Sequence, residues 1–312
     1  MKKIALSVVC VFACLAAFAA DRPSIEMVTI GNAGNKANSD GHGRVDYVYE
    51  IGKYEVSNSE YIQFLNSAAT KPDPNNYFVW GKKGESATKC GIDRAGAGTD
   101  ENPFTYTLKS GKENKPAIYI TAYAAARFCN WLETGDANSG AYDFETYGNN
   151  FAALFANADK TKYHLPTLDE WVKAAYYNPN TDSYQKFATD DGTAEGKIVY
   201  KLPGTSEPED VSKYGEFANP NGTVNQNGNV FEWIGYADKT DNGFLLGGYY
   251  ASSEDDLWRQ QLDKCITDLN DSSAGFRVAR GMTAPVPEPE AIAALLGAAA
   301  LAAAAVRRRA SK

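Results

Sequence analysis

The chain has 312 residues, with 39 acidic against 31 basic side chains and a net charge of −8; 44% of it is hydrophobic and 12% aromatic. This apolar and aromatic content supports a globular protein with a real core. The acidic balance, without the clustered Lys and Arg that phosphate neutralisation needs, excludes nucleic acid as a partner.

The N-terminus carries Lys2 and Lys3, an apolar run over 4–18 and the small-x-small pattern Ala17-Phe18-Ala19. These are the three parts of a secretory signal peptide, placed at 1–20. Cys14 falls inside the apolar run, before the better peptidase site, so lipid attachment there is the lesser alternative. Beyond the signal peptide remain Cys90, Cys129 and Cys265. Three distant cysteines make no disulfide framework for an exported protein; at most one bridge forms, with Cys129 outside it.

The region 21–283, roughly 260 residues, suits one large domain. Residues 25–30, 47–51 and 275–280 read as strands. Ser57-Asn58-Ser59-Glu60 is a capping box feeding Tyr61, Phe64 and Leu65, and Thr167-Leu168-Asp169-Glu170 is another, feeding Trp171, Ala174 and Ala175. Between them, Ala125, Phe128, Cys129 and Leu132 recur at helical spacing and predict one buried stripe, on which the Cys129 thiol is core packing. The stretches 71–116 and 178–228 are rich in Gly, Pro, Asn and Asp and read as long loops, which in a compact domain need something extra to hold them.

Six ordered blocks carry a family resemblance. They are Met27-Val28-Thr29-Ile30 with Ile51-Gly52-Lys53-Tyr54-Glu55-Val56-Ser57-Asn58; Ala126-Arg127-Phe128-Cys129-Asn130-Trp131-Leu132; His164-Leu165-Pro166-Thr167-Leu168-Asp169-Glu170-Trp171; Gly228-Asn229-Val230-Phe231-Glu232-Trp233; Gly247-Gly248; and Gly275-Phe276-Arg277. Over nearly all of 25–280 the chain resembles the formylglycine-generating enzymes, or sulfatase-modifying factor domain. The resemblance implies a loop-rich, single-domain α+β fold, the family's variant of the C-type-lectin-like fold, flanked here by an N-terminal signal helix and a C-terminal hydrophobic helix. It also implies calcium, held by the Asn225 side chain, the Gly228 and Val230 carbonyls and the Glu232 carboxylate. Mixed oxygen ligands suit Ca²⁺, and in extended chain 228, 230 and 232 project the same way. The alternative is a tight turn into a half-buried strand, with Glu232 bonded to backbone amides.

Enzymes of this family place a copper-binding cysteine pair after the Gly-Gly strand. Ser252 and Leu257 stand at those positions here, and neither replaces a soft thiolate, so copper oxidase chemistry is not expected. Relatives that use iron bind it through histidines. This chain has only His42 and His164, distant in sequence, and His164 beside a helix start reads as structural. No Gly-x-Ser-x-Gly elbow occurs. The adjacent acids Glu254, Asp255 and Asp256 read as a solvated loop rather than a catalytic pair. What remains is a binding surface with candidate residues Tyr249, Tyr250, Ser252, Glu254 and Trp258, although one of the two tyrosines should point inward.

At the C-terminus, Pro287-Glu288-Pro289 precedes an apolar run over 291–306 and Arg307-Arg308-Arg309. This order, over 284–312, resembles the PEP-CTERM sorting signal of bacterial envelope proteins. The apolar run falls short of the ~20 residues of a comfortable span, and the arginines stay cytoplasmic by the positive-inside rule. The expectation is an exported protein transiently anchored in the inner membrane, processed by an exosortase-type protease, and ending in the cell envelope or outside the cell. There it would bind an extracellular polysaccharide or a surface protein without catalysis. An oxidase or oxygenase with a rebuilt site and a structural matrix or scaffold protein are the alternatives.

Overall fold

The computed structural model describes residues 22–73, 89–148, 150–204, 206–237, 242–257, 263–266 and 273–282. The expected signal peptide, the sorting segment with Pro287, Glu288, Pro289, Arg307, Arg308 and Arg309, and Trp258 lie outside them. Among the described residues no helix is long and apolar enough to cross a membrane.

In chain order the elements are β1 (Met27–Ile30), β2 (Tyr49–Gly52), α1 (Asn58–Ala68), β3 (Ile92–Ala95), β4 (Thr105–Leu108), α2 (Ala122–Thr134), α3 (Phe144–Tyr147), α4 (Phe151–Ala156) and α5 (Leu168–Tyr176). Then follow β5 (Tyr177–Asn178), β6 (Ser183–Tyr184), β7 (Phe231–Ala237), β8 (Asn242–Leu246), α6 (Glu254–Leu257), β9 (Asp263–Ile266), β10 (Ala274–Phe276) and β11 (Ala279–Gly281). Two sheets dominate: an antiparallel one in the order β1-β2-β11, and a mixed one in the order β10-β7-β8-β9, whose β10 runs parallel to β7.

Both capping boxes form. Ser57 and Glu60 exchange side-chain and backbone bonds at the start of α1, and Thr167 and Glu170 do so at α5, satisfying amides that a helix start leaves without partners. In α2 the whole expected stripe is buried, and the left-handed Gly135 (φ 86°) ends the helix. Phe128 on that stripe meets Phe64 of α1 edge-on at 5.7 Å and Phe276 of β10 at 5.3 Å, so helices and mixed sheet share one aromatic core. Burying such a side chain contributes roughly 1.5–3 kcal/mol. Cys129 lies in this core as a free thiol, and Cys90 is likewise buried and free.

The expected strand over 275–280 is two strands. Phe276 pairs with Trp233 in the mixed sheet and Ala279 with Ile51 in the antiparallel one, so the chain changes sheets at Arg277 and Val278. That crossover inserts the Arg277 side chain between the sheets. The long loop expected over 71–116 contains the β3–β4 hairpin, whose four-residue strands alternate around charged or hydroxylated residues and carry too little periodicity to announce themselves.

Candidate functional site

Arg277 and Glu232 are both completely buried. The guanidinium Nε donates to Glu232 Oε2 at 2.7 Å and Nη2 to Oε1 at 2.6 Å. Nη1 donates to the carbonyls of Gly52 and Lys53, and Nη2 also to that of Val224. All five donors are therefore used, which makes burial of the charge tolerable. Burial works against the charged guanidinium, but Glu232 outweighs it and holds Arg277 above its ordinary value. Trp171 Nε1 adds a third bond to Glu232, at 2.7 Å to Oε2.

Glu232 thus anchors an ion pair through both of its carboxylate oxygens. The expected extended run from 228 is absent: Gly228 (φ 75°) and Asn229 (φ 55°) are left-handed, and β7 begins only at Phe231. A Cβ at Gly228 would sit 2.2 Å from the Val199 carbonyl oxygen, so that position requires glycine.

A second buried carboxyl, Glu55, belongs to the same cluster. Its Oε1 accepts from Asn229 Nδ2 at 2.9 Å, whereas Oε2 has no partner although it is buried. Burial, opposed by Arg277 and reinforced by Glu232, pushes Glu55 up to about 8. A buried carboxyl oxygen without a donor is a hard ligand of the kind calcium takes, and in this respect the cluster fits a cation. Among the described residues no three His, Cys, Asp or Glu side chains converge on a metal position, so any cation here would rest on amide and carbonyl oxygens beside Glu55.

The asparagines of the Asn225-Gln226-Asn227-Gly228-Asn229 run tie this segment to distant parts of the chain. Asn225 donates to the Val211 carbonyl. Asn227 accepts from Ala188 N and donates to Tyr176 Oη and the Leu257 carbonyl. Asn229 accepts from Glu209 N while bonding Glu55. Side-chain amides supply what the long loop over 178–228 needs to stay folded.

Beside this network lies a cavity of about 270 Å³ lined by Lys89, Gly204, Phe231, Tyr249, Tyr250, Ala251 and Ser273. Asn229 joins the two regions, because its carbonyl accepts the Tyr250 amide at 2.9 Å. Phe231 and Tyr249 stack with centroids 5.1 Å apart. The Lys89 ammonium donates to Tyr250 Oη and the Gly204 carbonyl, each at 3.0 Å, and lies 5.2 Å from the Tyr250 ring centre.

The expected binding residues divide. Tyr249 borders the cavity and is partly exposed. Tyr250 is the inward member of the pair, 3% exposed, and offers the cavity little of its ring. Ser252 is buried in a turn where its Oγ accepts from Tyr249 N. Glu254 does not line the cavity; it faces Lys186 and Lys201 at the start of α6. Leu257 packs with Phe187, Ala194 and Ile198. Sequence reasoning missed Lys89 and Phe231 as wall residues, and Glu55 and Arg277 as the partners of the Asn225–Glu232 segment. Glu55 and Arg277 stand inside the family motif blocks, as charges among apolar neighbours; Lys89 had no signal.

A family model described as the sulfatase-modifying factor enzyme 1-like domain matches residues 25–282. The chain belongs to this family. Among solved structures, this sulfatase-modifying factor domain is similar to CarF, at 17% identity over 83% of this chain and 99% of that one, with a TM-score of 0.51. It is also similar to Treponema denticola variable protein 1, at 19% identity over 81% of this chain and 94% of that one, with a TM-score of 0.52. These likenesses concern the fold alone, and the expected α+β single-domain architecture holds. No curated protein matches the chain.

The two histidines of this sulfatase-modifying factor domain flank the first turn of α5. His164 is buried, with Nδ1 2.8 Å from the Lys162 carbonyl and Nε2 3.0 Å from Glu170 Oε2. Acceptors on both sides make it an imidazolium. Burial opposes that charge, but Glu170 and the carbonyl raise His164 above its ordinary value; Glu170, which burial alone would raise, is held down at about 2 by His164 and the capping bonds. His164 therefore fastens α5 to β11, with which it also pairs through Ala279. His42 lies outside this pair, at a surface cleft beside Asp169.

Proposed function

We propose that this sulfatase-modifying factor protein is an exported, non-catalytic module. Its ligand, an extracellular polysaccharide or a surface protein, enters the cavity bounded by Lys89, Phe231 and Tyr249. The observation that carries the reading is the fate of the two positions where the family's enzymes keep copper-binding thiols. Ser252 and Leu257 occupy them, and both are built into the framework, 4% and 1% exposed. Hydroxyl and alkyl groups supply no soft ligand for copper. The cavity next to them retains a stacked aromatic wall and an ammonium with two of its three donors used by described residues, the mixture of apolar surface and directed polar groups that binding sites use.

In this reading calcium is held by the Asn225 side chain, the Gly228 and Val230 carbonyls and Glu55, with Glu232 holding Arg277 behind them. Its part is to fix the 225–229 turn and, through Asn229, the cavity wall. The N-terminal and C-terminal segments support export, a transient stay in the inner membrane and processing by an exosortase-type protease at Pro287-Glu288-Pro289.

The test is retention of the exported protein on the producing cell's purified extracellular polymer and on its surface proteins, with calcium and with a chelator. A parallel assay follows copper uptake and conversion of a cysteine peptide to its aldehyde. Retention that weakens in Lys89→Met and Tyr249→Ala supports the binding module. Aldehyde formation would replace it with the enzyme.

A further inference from the structure

A second cleft, about 390 Å³, opens on another part of the surface, between α4, the start of α5, the loop carrying His42 and the outer end of β7. Its volume falls within the range of about 300–1,000 Å³ typical of small-ligand sites. Four side chains with no role in the cavity described above converge there: His42, Lys160, Asp169 and Tyr236, over a floor that includes the buried Phe155.

Each is placed by a local device. The pairing of β7 with β8 shifts register between Trp233 and Ala237. Inside that irregularity Gly235 donates to the Pro166 carbonyl at 2.7 Å, and a Cβ on it would sit 2.7 Å from the Leu165 carbonyl oxygen. Irregularities of this kind re-aim side chains, and the neighbouring Tyr236 is turned outward, 42% exposed. The His42 loop is pinned through Gly43 (φ 84°), whose amide donates to Asp169 Oδ1 at 2.8 Å and whose carbonyl accepts from Asn35 and Tyr184. His42 Nδ1 then stands 3.8 Å from the same Asp169 oxygen.

The charges are unequally matched. Asp169 already has the Gly43 amide and His42 beside it. Lys160 is exposed and has no ion-pair partner among the described residues; its backbone carbonyl, not its ammonium, serves the fold by accepting from Gly281. An exposed tyrosine ring offers a platform for the C–H face of a sugar, and the carboxylate and imidazole offer acceptor and donor for hydroxyls. The unmatched ammonium favours an anionic substituent.

We propose that this cleft binds a carbohydrate residue bearing a carboxylate, with Tyr236 under the ring, Lys160 on the carboxylate, and Asp169 and His42 on the hydroxyls. The site is separate from the Lys89 cavity and stands or falls independently of it.

Calorimetric titration of the exported protein with an oligoglucuronate, against a neutral oligoglucose of equal length, tests the proposal. The expected result is saturable binding with the acidic oligomer preferred about tenfold. Tyr236→Ala weakens both by about tenfold, and Lys160→Met removes the preference. Circular dichroism checks that each variant is folded. Binding of neither oligomer, or wild-type affinity in Tyr236→Ala, overturns the proposal. Loss confined to Lys89→Met places the sugar in the other cavity and overturns it equally.

Discussion

Arg277 grips Glu232 edge-on, through Nε at 2.7 Å and Nη2 at 2.6 Å, at the point where the chain passes from one sheet to the other. The pair sits behind the Asn225–Asn229 turn and joins β7, the β2–α1 connection and α5, since Arg277 also holds the Gly52 and Lys53 carbonyls while Trp171 holds Glu232.

Removing one partner leaves the other charge buried and uncompensated. Glu232→Gln is expected to cost about 3–5 kcal/mol. In a domain of this size that lowers the melting temperature on the order of 10 °C. Thermal denaturation of Glu232→Gln, Arg277→Met and the double variant checks it: the double variant should cost less than the sum of the two.

In the proposed calcium site, Glu55 would tie cation binding to pH. Its folded value of about 8 lies above the ordinary value of 4.5, so the folded state holds more protons between these values and its stability falls as pH rises across them. Calcium at Glu55 displaces that proton, so calcium affinity should climb with pH up to about 8 and binding should release protons. Saturating calcium at about 100 times its dissociation constant would add roughly 2.7 kcal/mol. Glu55→Gln is expected to abolish both the proton release and the calcium-dependent rise in melting temperature; their persistence would move the cation elsewhere.

The His164–Glu170 pair sets a window. His164 is raised above 6.5, so its contribution is complete below that value and is lost as pH rises through the folded one. Glu170 is lowered from 4.5 to about 2, so its contribution is present above 4.5 and is lost as pH falls toward 2. The pair contributes most between these limits, and melting temperature against pH should flatten on the alkaline side in His164→Gln. An unchanged alkaline slope would assign it to another group.

Tyr249 and Tyr250 should separate binding from stability. Tyr249→Ala removes a partly exposed wall and should weaken ligand retention with little change in melting temperature. Tyr250→Ala opens a buried space and should cost about 3–5 kcal/mol, as large aromatic truncations do. Tyr250→Phe keeps the packing and deletes only the Lys89 bond, so binding and melting measurements on it report that contact alone.

The elements that announced themselves did so through local chemistry. Ser57 with Glu60 and Thr167 with Glu170 place helix starts within three residues of sequence, and the Ala125–Leu132 stripe repeats at the helical period. Strands of four residues such as β3 and β4, and the short helices α3 and α4, stayed hidden because one turn or two pleats carry no period. The inward turn of Tyr250 was legible only as an even choice between two tyrosines, and the Asn229 carbonyl that takes its amide decides it.

The sequence by itself determined the family blocks, the helix starts and the absence of a cysteine pair at 252 and 257, because each is written in neighbouring residues. Tertiary structure alone decided that Glu232 belongs to Arg277, 45 residues away, that Glu55 is the carboxyl with a spare buried oxygen, and that Lys89 meets Tyr250 across 161 residues. Burial makes these pairings compulsory, since a charge or amide removed from water must find its partner wherever the chain has brought one.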